Sequence, residues 1–482
     1  MANTAYETII GLEVHVQLAT ESKAFCGDDA SFGGEPNTHV SAVSLGHPGT
    51  LPKANGRQIE LATRLGLALG CKINTHNAFD RKNYFYADLP KGYQITQDKA
   101  PICIGGSLSI KIGNNWKSIG IHHIHMEEDA GKSIHTMAPR HSFIDLNRAG
   151  VPLVEIVTEP DLRSGEEVDA FMTAMRQLVR YLEVSDGNME QGSLRCDVNI
   201  SIREQGATIL NDRCEVKNVN SMKFARQAID YEVRRQIGLV EAGGKVKQQT
   251  LNFDPNTGVT SPLREKEDAH DYRYFPEPDL PPVVLSSSYI DGVKAQLPIL
   301  PEAMHRDLME KYQLSDYDAN IISEEKATGL FFLNLVQHTS NFKAAANLVI
   351  NRILPWCQEV KHSLAQFPLP PQQLAALIQL VETGKLSNTA AYQTLFPAML
   401  ANPAQDPLAL AEKLNLLQSS DGDFLQKIAE EVLTQFPDKV KEYQKGKKGL
   451  IGFFMGELMK RSKGKADPKI ATGILETLLN QR

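Results

Sequence analysis

Cysteine is scarce in this chain and poorly spaced for structural chemistry. The six, at positions 26, 71, 103, 196, 214 and 357 of 482, include no C-x-x-C pair. That spacing counts against a disulfide framework and a cysteine-only zinc site, leaving reduced, mostly buried thiols. Long apolar runs are missing as well. No stretch approaches the roughly 20 residues of a membrane span, and MANTAYETIIGLEVHV at the start lacks a basic segment followed by an apolar one. A cytoplasmic protein with no membrane partner is expected. A surplus of positive charge is absent too: the formal charge of −7 argues against coating nucleic acid with the whole surface. Nor is there a P-loop. EDAGKS at 128–133 ends like one, but the pattern needs glycine at 126, where the residue is Met.

What is present is ordinary globular composition, 42% hydrophobic and 23% charged, in a chain long enough for several cores. GLEVHVQL alternates strictly, with Leu12, Val14, Val16 and Leu18 on one face and Glu13, His15 and Gln17 on the other. SLRCDVNISIRE places Arg195, Asp197, Asn199, Ser201 and Arg203 opposite an apolar row, and CEVKNVN sets Glu215 and Lys217 on one side. Period-two alternation marks half-buried, typically antiparallel strands. NGRQIELATRLGLALG and SGEEVDAFMTAMRQLVRYL have helical spacing. The expected fold class is α+β: an N-terminal domain around a mainly antiparallel sheet over 1–295, an all-helical domain over 296–400, and a small helical tail over 408–482. The proline-containing FPAMLANPAQDPLA reads as the linker before the tail.

The polar faces are acidic. One strand offers Glu13 and His15, another Asp197 and Asn199, a third Glu215, and HHIHMEEDAG (122–131) adds Glu127, Glu128 and Asp129 in a row. Three adjacent carboxylates repel unless a cation, a basic partner or water neutralises them. A wet face with oxygen donors in the majority suits a hard divalent ion, and Mg²⁺ is commonly shared with substrate phosphates, so a metal is the expected neutraliser. The bland alternative is a set of solvated strand faces. His122, His123 and His125 alternate between faces and do not easily serve one ion. DRKNYFYADLPKGYQ (80–94) and DYRYFPEPDLPP (271–282) interleave rings with Arg and Lys. Such segments either stack on bases and hold phosphates, or are plain strands with snorkelling basic chains. Between Lys439 and Lys465 nine basic residues face only Glu442 and Glu457, so that end is expected to meet an anion.

ETIIGLEVHVQL, DRKNYFYADLPKGYQI, HMEEDAGKS, DLNRAGVPLVEIVTEPD, MEQGSLRCDVNIS, EVKNVNS and DYRYFPEPD occur together and in this order. In these stretches, and in the length and order of the helical segments after them, the chain resembles the GatB family, the B subunits of glutamyl/aspartyl-tRNA amidotransferases. The resemblance implies a cradle-shaped catalytic domain, a helical domain and a YqeY-like tail that contacts tRNA. It implies binding of misacylated Glu-tRNA(Gln) or Asp-tRNA(Asn), phosphorylation of the attached side-chain carboxylate with ATP and Mg²⁺, and amidation by ammonia. The A and C subunits are the implied partners, the first a glutaminase that releases the ammonia and the second a small chain lying between the other two. Carried onto this sequence, the implied metal and catalytic residues are Glu13, His15 and Glu128, with Asp197 and Glu215 as further metal ligands. Glu127 and Asn199 are neighbours acting through water. Arg81 and Lys82 are weaker candidates for ATP or acceptor-end phosphates. Lys445, Lys447, Lys448, Lys460, Arg461, Lys463 and Lys465 are the tRNA-binding set. Some family members hold zinc through C-x-C and C-x-x-C. Here Cys26 stands with Asp28, Ser41 and Ser44 at those places, so no zinc is expected and packing alone is expected to hold the loop. The alternative readings are a non-catalytic tRNA-binding adaptor and a stand-alone metal-dependent hydrolase.

Overall fold

The computed structural model describes residues 5–138, 140–217, 219, 221–265, 272–418, 422–462 and 466–481. The chain divides into two compact units, Met1–Ala303 and Met304–Arg482. The first is α+β. Its main sheet has ten strands, and Tyr6–Gln17 lies centrally between Pro152–Thr158 and Leu194–Glu204. Outward on one side come Cys214–Lys217, Gln249–Asp254 and Val259–Glu265; on the other, the long strand Asn115–Glu128 and short edge strands. The one parallel pair among the described strands joins Cys214–Lys217 to Gln249–Asp254, a return made through the helix Met222–Glu241. A separate three-stranded sheet runs Arg273–Pro276, Asp80–Asn83, Tyr93–Thr96.

The sheet buries the side that alternation assigned to it. Ile10, Leu12, Val14 and Val16 join Cys196, Val198, Ile200, Ile124, Met126, Val154 and Ile156 in one core. The helices Gly56–Ala68, Gly165–Tyr181 and Met222–Glu241 pack on that side through Leu61, Leu65, Val168, Phe171, Met175, Ala225 and Ile229. Ser164 caps the second of them by accepting from the Glu167 amide, and Glu166 and Glu167 sit favourably in its first turn. The opposite, polar side of the sheet is left without a helical cover from these three.

The second unit is helical, with two cores. Met304, Leu308, Phe332, Leu335, Leu374 and Leu377 belong to one; Leu425, Val432, Leu433, Phe454, Leu458 and Leu475 belong to the other. The stretch expected to be a linker carries two short helices, Phe396–Ala401 and Pro407–Lys413, and Phe396, Met399, Leu410 and Ala411 are buried in the first core. Pro407 stands at a first-turn position after the capping Asp406, where a missing N–H costs nothing. Pro397 follows the π-helical turn Ala390–Leu395, which accommodates the lost hydrogen bond, and Pro403 lies in the turn between the two helices. Among the described residues no helix is long and apolar enough to cross a membrane.

Phe171 is fully buried between the helix Gly165–Tyr181 and the sheet. Phe171→Ala is expected to cost about 3–5 kcal/mol, from lost transfer energy and the residual cavity. Urea unfolding of the first unit, followed by circular dichroism, checks this; a loss under about 1 kcal/mol would mean the helix is not pinned there.

Candidate active site

Strand pairing brings the polar residues side by side. Glu13 is opposite Asp197, His15 is opposite Glu155 on one side and Arg195 on the other, Glu155 is opposite His125, and Asn199 is opposite Glu215. Two groups of potential ligands result, each with its donor atoms within 4.8 Å of one another: Glu13, Asp197 and Glu215; and His15, Glu127 and Glu155.

The first group is carboxylate-rich and partly screened by protein cations. Lys217 Nζ lies 2.7 Å from Asp197 Oδ2 and 2.8 Å from Glu215 Oε1. Asn199 Nδ2 donates to Glu13 at 3.0 Å, and Thr250 Oγ1 donates to Glu215 at 2.9 Å. Burial, together with Glu155, Glu215 and Asp197, pushes the Glu13 carboxyl above its ordinary value against the Asn199 hydrogen bond. Burial lowers Lys217, but Asp197 and Glu215 outweigh it and hold the ammonium charged. A carboxylate crowded in this way gains from an added cation, and the all-oxygen donor set fits Mg²⁺, Mn²⁺ or Ca²⁺.

With His125 the second group forms a quartet of imidazoles and carboxylates. His15 Nε2 is 3.3 Å from Glu155 and 3.8 Å from Glu127, while His125 Nε2 is 3.4 Å from Glu155 and 3.7 Å from Glu127. Burial favours neutral imidazole, yet the Glu155 and Glu127 charges prevail and push His125 up to about 10. The same balance, with Glu155 dominant, raises His15. Burial opposes ionisation of Glu155, and His125 and His15 more than reverse that. His123 stacks on His125 with ring centroids 5.2 Å apart and is pushed down to about 4 by burial and the neighbouring imidazoles.

The three consecutive acids take separate partners. Glu127 faces the histidines. Glu128 points to the other side, where its Oε1 pairs with Lys91 and accepts from the Ile95 amide at 2.9 Å. Asp129 Oδ2 accepts from Arg195 and Gln17, each at 2.8 Å, and has Arg148 Nε at 3.7 Å. For this triplet, protein cations therefore do the neutralising expected of a metal. Glu128 is also separated from Glu13 and His15, with which the resemblance groups it. Alternation allows only one of two adjacent glutamates onto a given sheet face, and that one is Glu127. Gly131, in the segment that ends like a P-loop, serves close packing: a Cβ there would lie 2.9 Å from the carbonyl oxygens of Asp88 and Asp145.

Arg81 is held by Glu277 through two hydrogen bonds, 2.7 and 2.9 Å, and by Asp279 at 3.1 Å, which leaves little of its charge for a phosphate. Lys82 instead lies 4.7 Å above the Tyr272 ring. In the second unit Lys445, Lys447, Lys448, Lys460 and Arg461 are exposed. Lys447 pairs with Glu442 at 3.0 Å, Lys448 covers the Tyr443 ring, and Arg461 is 3.6 Å from Glu431. Lys463 and Lys465 lie outside the described residues. The Cys26 loop is held by more than packing: Asp28 Oδ2 accepts from Ser44 Oγ at 2.5 Å and from the Ser41 amide at 2.9 Å. Sequence reasoning missed Glu155, Lys217, Arg195 and Lys91 as members of the site. A signal for Glu155 exists, as the one charge inside the apolar strand PLVEIVT.

A cavity of about 490 Å³ adjoins the first acid group, lined by Gly11, Glu13, Asn199, Ser201, Asn211 and Arg213 among others. A smaller one, about 170 Å³, lies on the Glu128 side beside Lys91, Arg81, Tyr93 and Cys26.

This fold and face define a class: an α+β domain of catalytic type with an acid-rich polar sheet face, joined to an all-helical region. Residues 8–291 match the family model of the GatB/GatE catalytic domain, and residues 330–479 match that of the GatB domain. The chain belongs to the GatB/GatE family. It is 47% identical to the B subunit of the aspartyl/glutamyl-tRNA(Asn/Gln) amidotransferase of Geotalea daltonii, over 98% of each chain. The protein of the same name from Geobacter sulfurreducens is 46% identical over the same shares, and that of Salinibacter ruber 44% over 100% of this chain and 98% of its own.

Burial raises the Asp129 carboxyl, but Arg195 and Arg148 outweigh it and hold it below its ordinary value. A depressed carboxyl contributes stability above its unfolded value, near 3.9, and loses it as pH falls through the folded one. Asp129→Asn is therefore expected to cost roughly 2–3 kcal/mol at pH 7, less than a fully buried pair because the Arg195 side chain is about one-third exposed. The urea-midpoint gap to the native chain should persist from pH 7 to about 5 and close below about 4. A gap independent of pH would deny the ion pair.

Proposed function

We propose that this chain is the B subunit of a tRNA-dependent amidotransferase, working in the cytoplasm with the A and C subunits. It binds misacylated Glu-tRNA(Gln), Asp-tRNA(Asn) or both, and uses ATP with Mg²⁺ to phosphorylate the side-chain carboxylate of the attached amino acid. A carboxylate oxygen attacks the γ-phosphorus, the bond to the β-phosphate oxygen breaks and ADP leaves. Ammonia, supplied by glutamine hydrolysis in the glutaminase partner, then attacks the acyl carbon. The carbon–oxygen bond breaks, inorganic phosphate departs and the nitrogen sheds a proton, leaving the amide.

The observation that carries this reading is the pair of acid groups on one sheet face beside a cavity large enough for part of a nucleotide. Glu13, Asp197 and Glu215 would hold one divalent ion; a second, at His15, Glu127 and Glu155, would first have to displace the imidazole protons that pair those carboxylates. Such an ion supplies positive charge to phosphate oxygens and to the attacking carboxylate, all of which are anionic. The chain's own residues do the positioning. Arg213, at the cavity wall, is placed for a nucleotide phosphate, and Lys217 bridges Asp197 and Glu215 and aims both at the same point. Arg195, held by Asp129 beside His15, offers its remaining N–H groups to the transferred phosphoryl group. The exposed lysines of the second unit would meet the tRNA body, as the YqeY-like reading implies.

ADP release by the chain assembled with the A and C subunits, with and without Glu-tRNA(Gln), tests the chemistry. Release is expected to need the misacylated tRNA and to fall roughly a hundredfold or more in Glu13→Gln. Turnover indifferent to the tRNA, or surviving the substitution, would favour the adaptor reading instead. For the tail, combined Lys445→Ala, Lys447→Ala and Lys448→Ala should lower the slope of log affinity against log salt by about one for each phosphate no longer neutralised. An unchanged slope removes these lysines from the tRNA interface.

A further inference from the structure

Beside the histidine end of the sheet face stands a group of rings that the core does not absorb. Tyr84 has its ring centroid 5.8 Å from that of Tyr86 and 5.4 Å from that of Tyr272. Phe85, between the first two, is 88% exposed, and Tyr86 is 55% exposed. Lys82 Nζ lies 4.7 Å over Tyr272 and 5.8 Å over Tyr84. Whereas Arg81 is tied to Glu277 and Asp279, Lys82 has no carboxylate at ion-pair distance among the described residues.

These rings border the reacting face. Lys82 is opposite Tyr274 and Gln94 in the three-stranded sheet, and Thr96, on the same strand as Gln94, puts its Oγ1 3.5 Å from Glu127 Oε2. The Tyr84 hydroxyl is pushed up first by burial and then by Glu127, and Tyr274 by burial, Asp98, Glu155 and Glu127, so both rings sense the acid cluster.

We propose that Phe85, flanked by Tyr84 and Tyr86 over Lys82, is the stacking platform for the unpaired 3′ end of the RNA substrate, with Phe85 taking the terminal base. This rests on the function proposed above. The amino acid is esterified to the terminal ribose, and its side chain is only a few bonds long. The terminal nucleotide must therefore sit at the rim of the acid cluster while its carboxylate enters. Aromatic faces bind any base without reading it, and an adjacent cation suits the phosphate beside that base. Lys82 and the exposed Arg273 make this rim cationic next to an acidic floor, which matches RNA better than an apolar protein surface.

The test uses the assembly with the A and C subunits and tRNA(Gln) carrying 2-aminopurine in place of its terminal adenine. Binding to the native assembly should quench the probe, Phe85→Ala should abolish the quench, and Phe85→Tyr should keep it. With Glu-tRNA(Gln), Phe85→Ala should raise KM roughly tenfold, with the loss falling on KM and not on kcat. An unchanged quench and KM in Phe85→Ala would overturn the platform. So would weakened association with the A and C subunits at normal KM, which would make this loop part of a protein–protein interface. If native ADP release ignored the tRNA, the functional reading would fall, and the quench would still judge the platform separately.

Discussion

Three consecutive carboxylates, Glu127, Glu128 and Asp129, are buried at the end of one strand, and none can share its neutralising partner with the next. Backbone alternation sends the first to the polar face and the second to the opposite side, while the third meets the strand carrying Arg195. Each partner arrives on a different piece of chain. His15 comes from the central strand, Lys91 from the turn before Tyr93–Thr96, and Arg148 from the loop leading into Pro152–Thr158. Gln94 also donates to the Glu128 carbonyl at 2.7 Å, so the three-stranded sheet is pinned to the large one at this point. Buried ion pairs add little net stability over apolar packing, but removing one partner is costly. The triplet thus acts as a register lock more than as a source of cohesion.

The two ends of the polar face differ in chemistry. At the Glu13 end, carboxylates outnumber the one paired lysine and the wall opens onto a cavity with Arg213. At the Glu155 end, imidazoles and carboxylates are balanced two against two, and Tyr274 of the three-stranded sheet lies near enough to feel Glu155 and Glu127. Burial and then Coulombic crowding raise Glu13 at one end, while at the other the imidazoles of His125 and His15 overcome burial and lower Glu155. A reaction joining two anionic reactants needs both environments: one that gathers cations around phosphate and one that admits a carboxylate without expelling it.

Much of this is legible in the sequence because period-two alternation carries a single unambiguous face assignment. GLEVHVQL and SLRCDVNISIRE set Glu13, His15, Asp197 and Asn199 on one side, and the registry Glu13 to Asp197 delivers that side intact. Glu128 stands apart from them because the resemblance selects the second of two adjacent glutamates as the ligand, whereas alternation brings the first, Glu127, to the polar face. Glu155 escapes notice because residues on both faces of its strand are buried, so PLVEIVT reads as an apolar run in which one acid looks incidental. Lys91, Arg148 and Arg195 cannot be paired with their acids by inspection, since such contacts join loops and strands far apart in sequence. The proline-rich stretch before the tail misleads for local reasons: Pro407 begins a helix at its first turn, and a π-helical turn lets the preceding helix run on through Pro397.

The central placement of the first strand has a consequence for how the protein is made. Leu12 finds the Thr158 hydroxyl 146 residues later, and Glu13 finds Asn199 186 residues later. No described strand within the first hundred residues flanks Tyr6–Gln17. At ordinary rates of synthesis the interval before both neighbours emerge from the ribosome is roughly ten to forty seconds. Through that time a twelve-residue strand with Ile10, Leu12, Val14 and Val16 along one face waits unpaired. Such a nascent chain is a natural client for the chaperones that meet polypeptides at the exit tunnel.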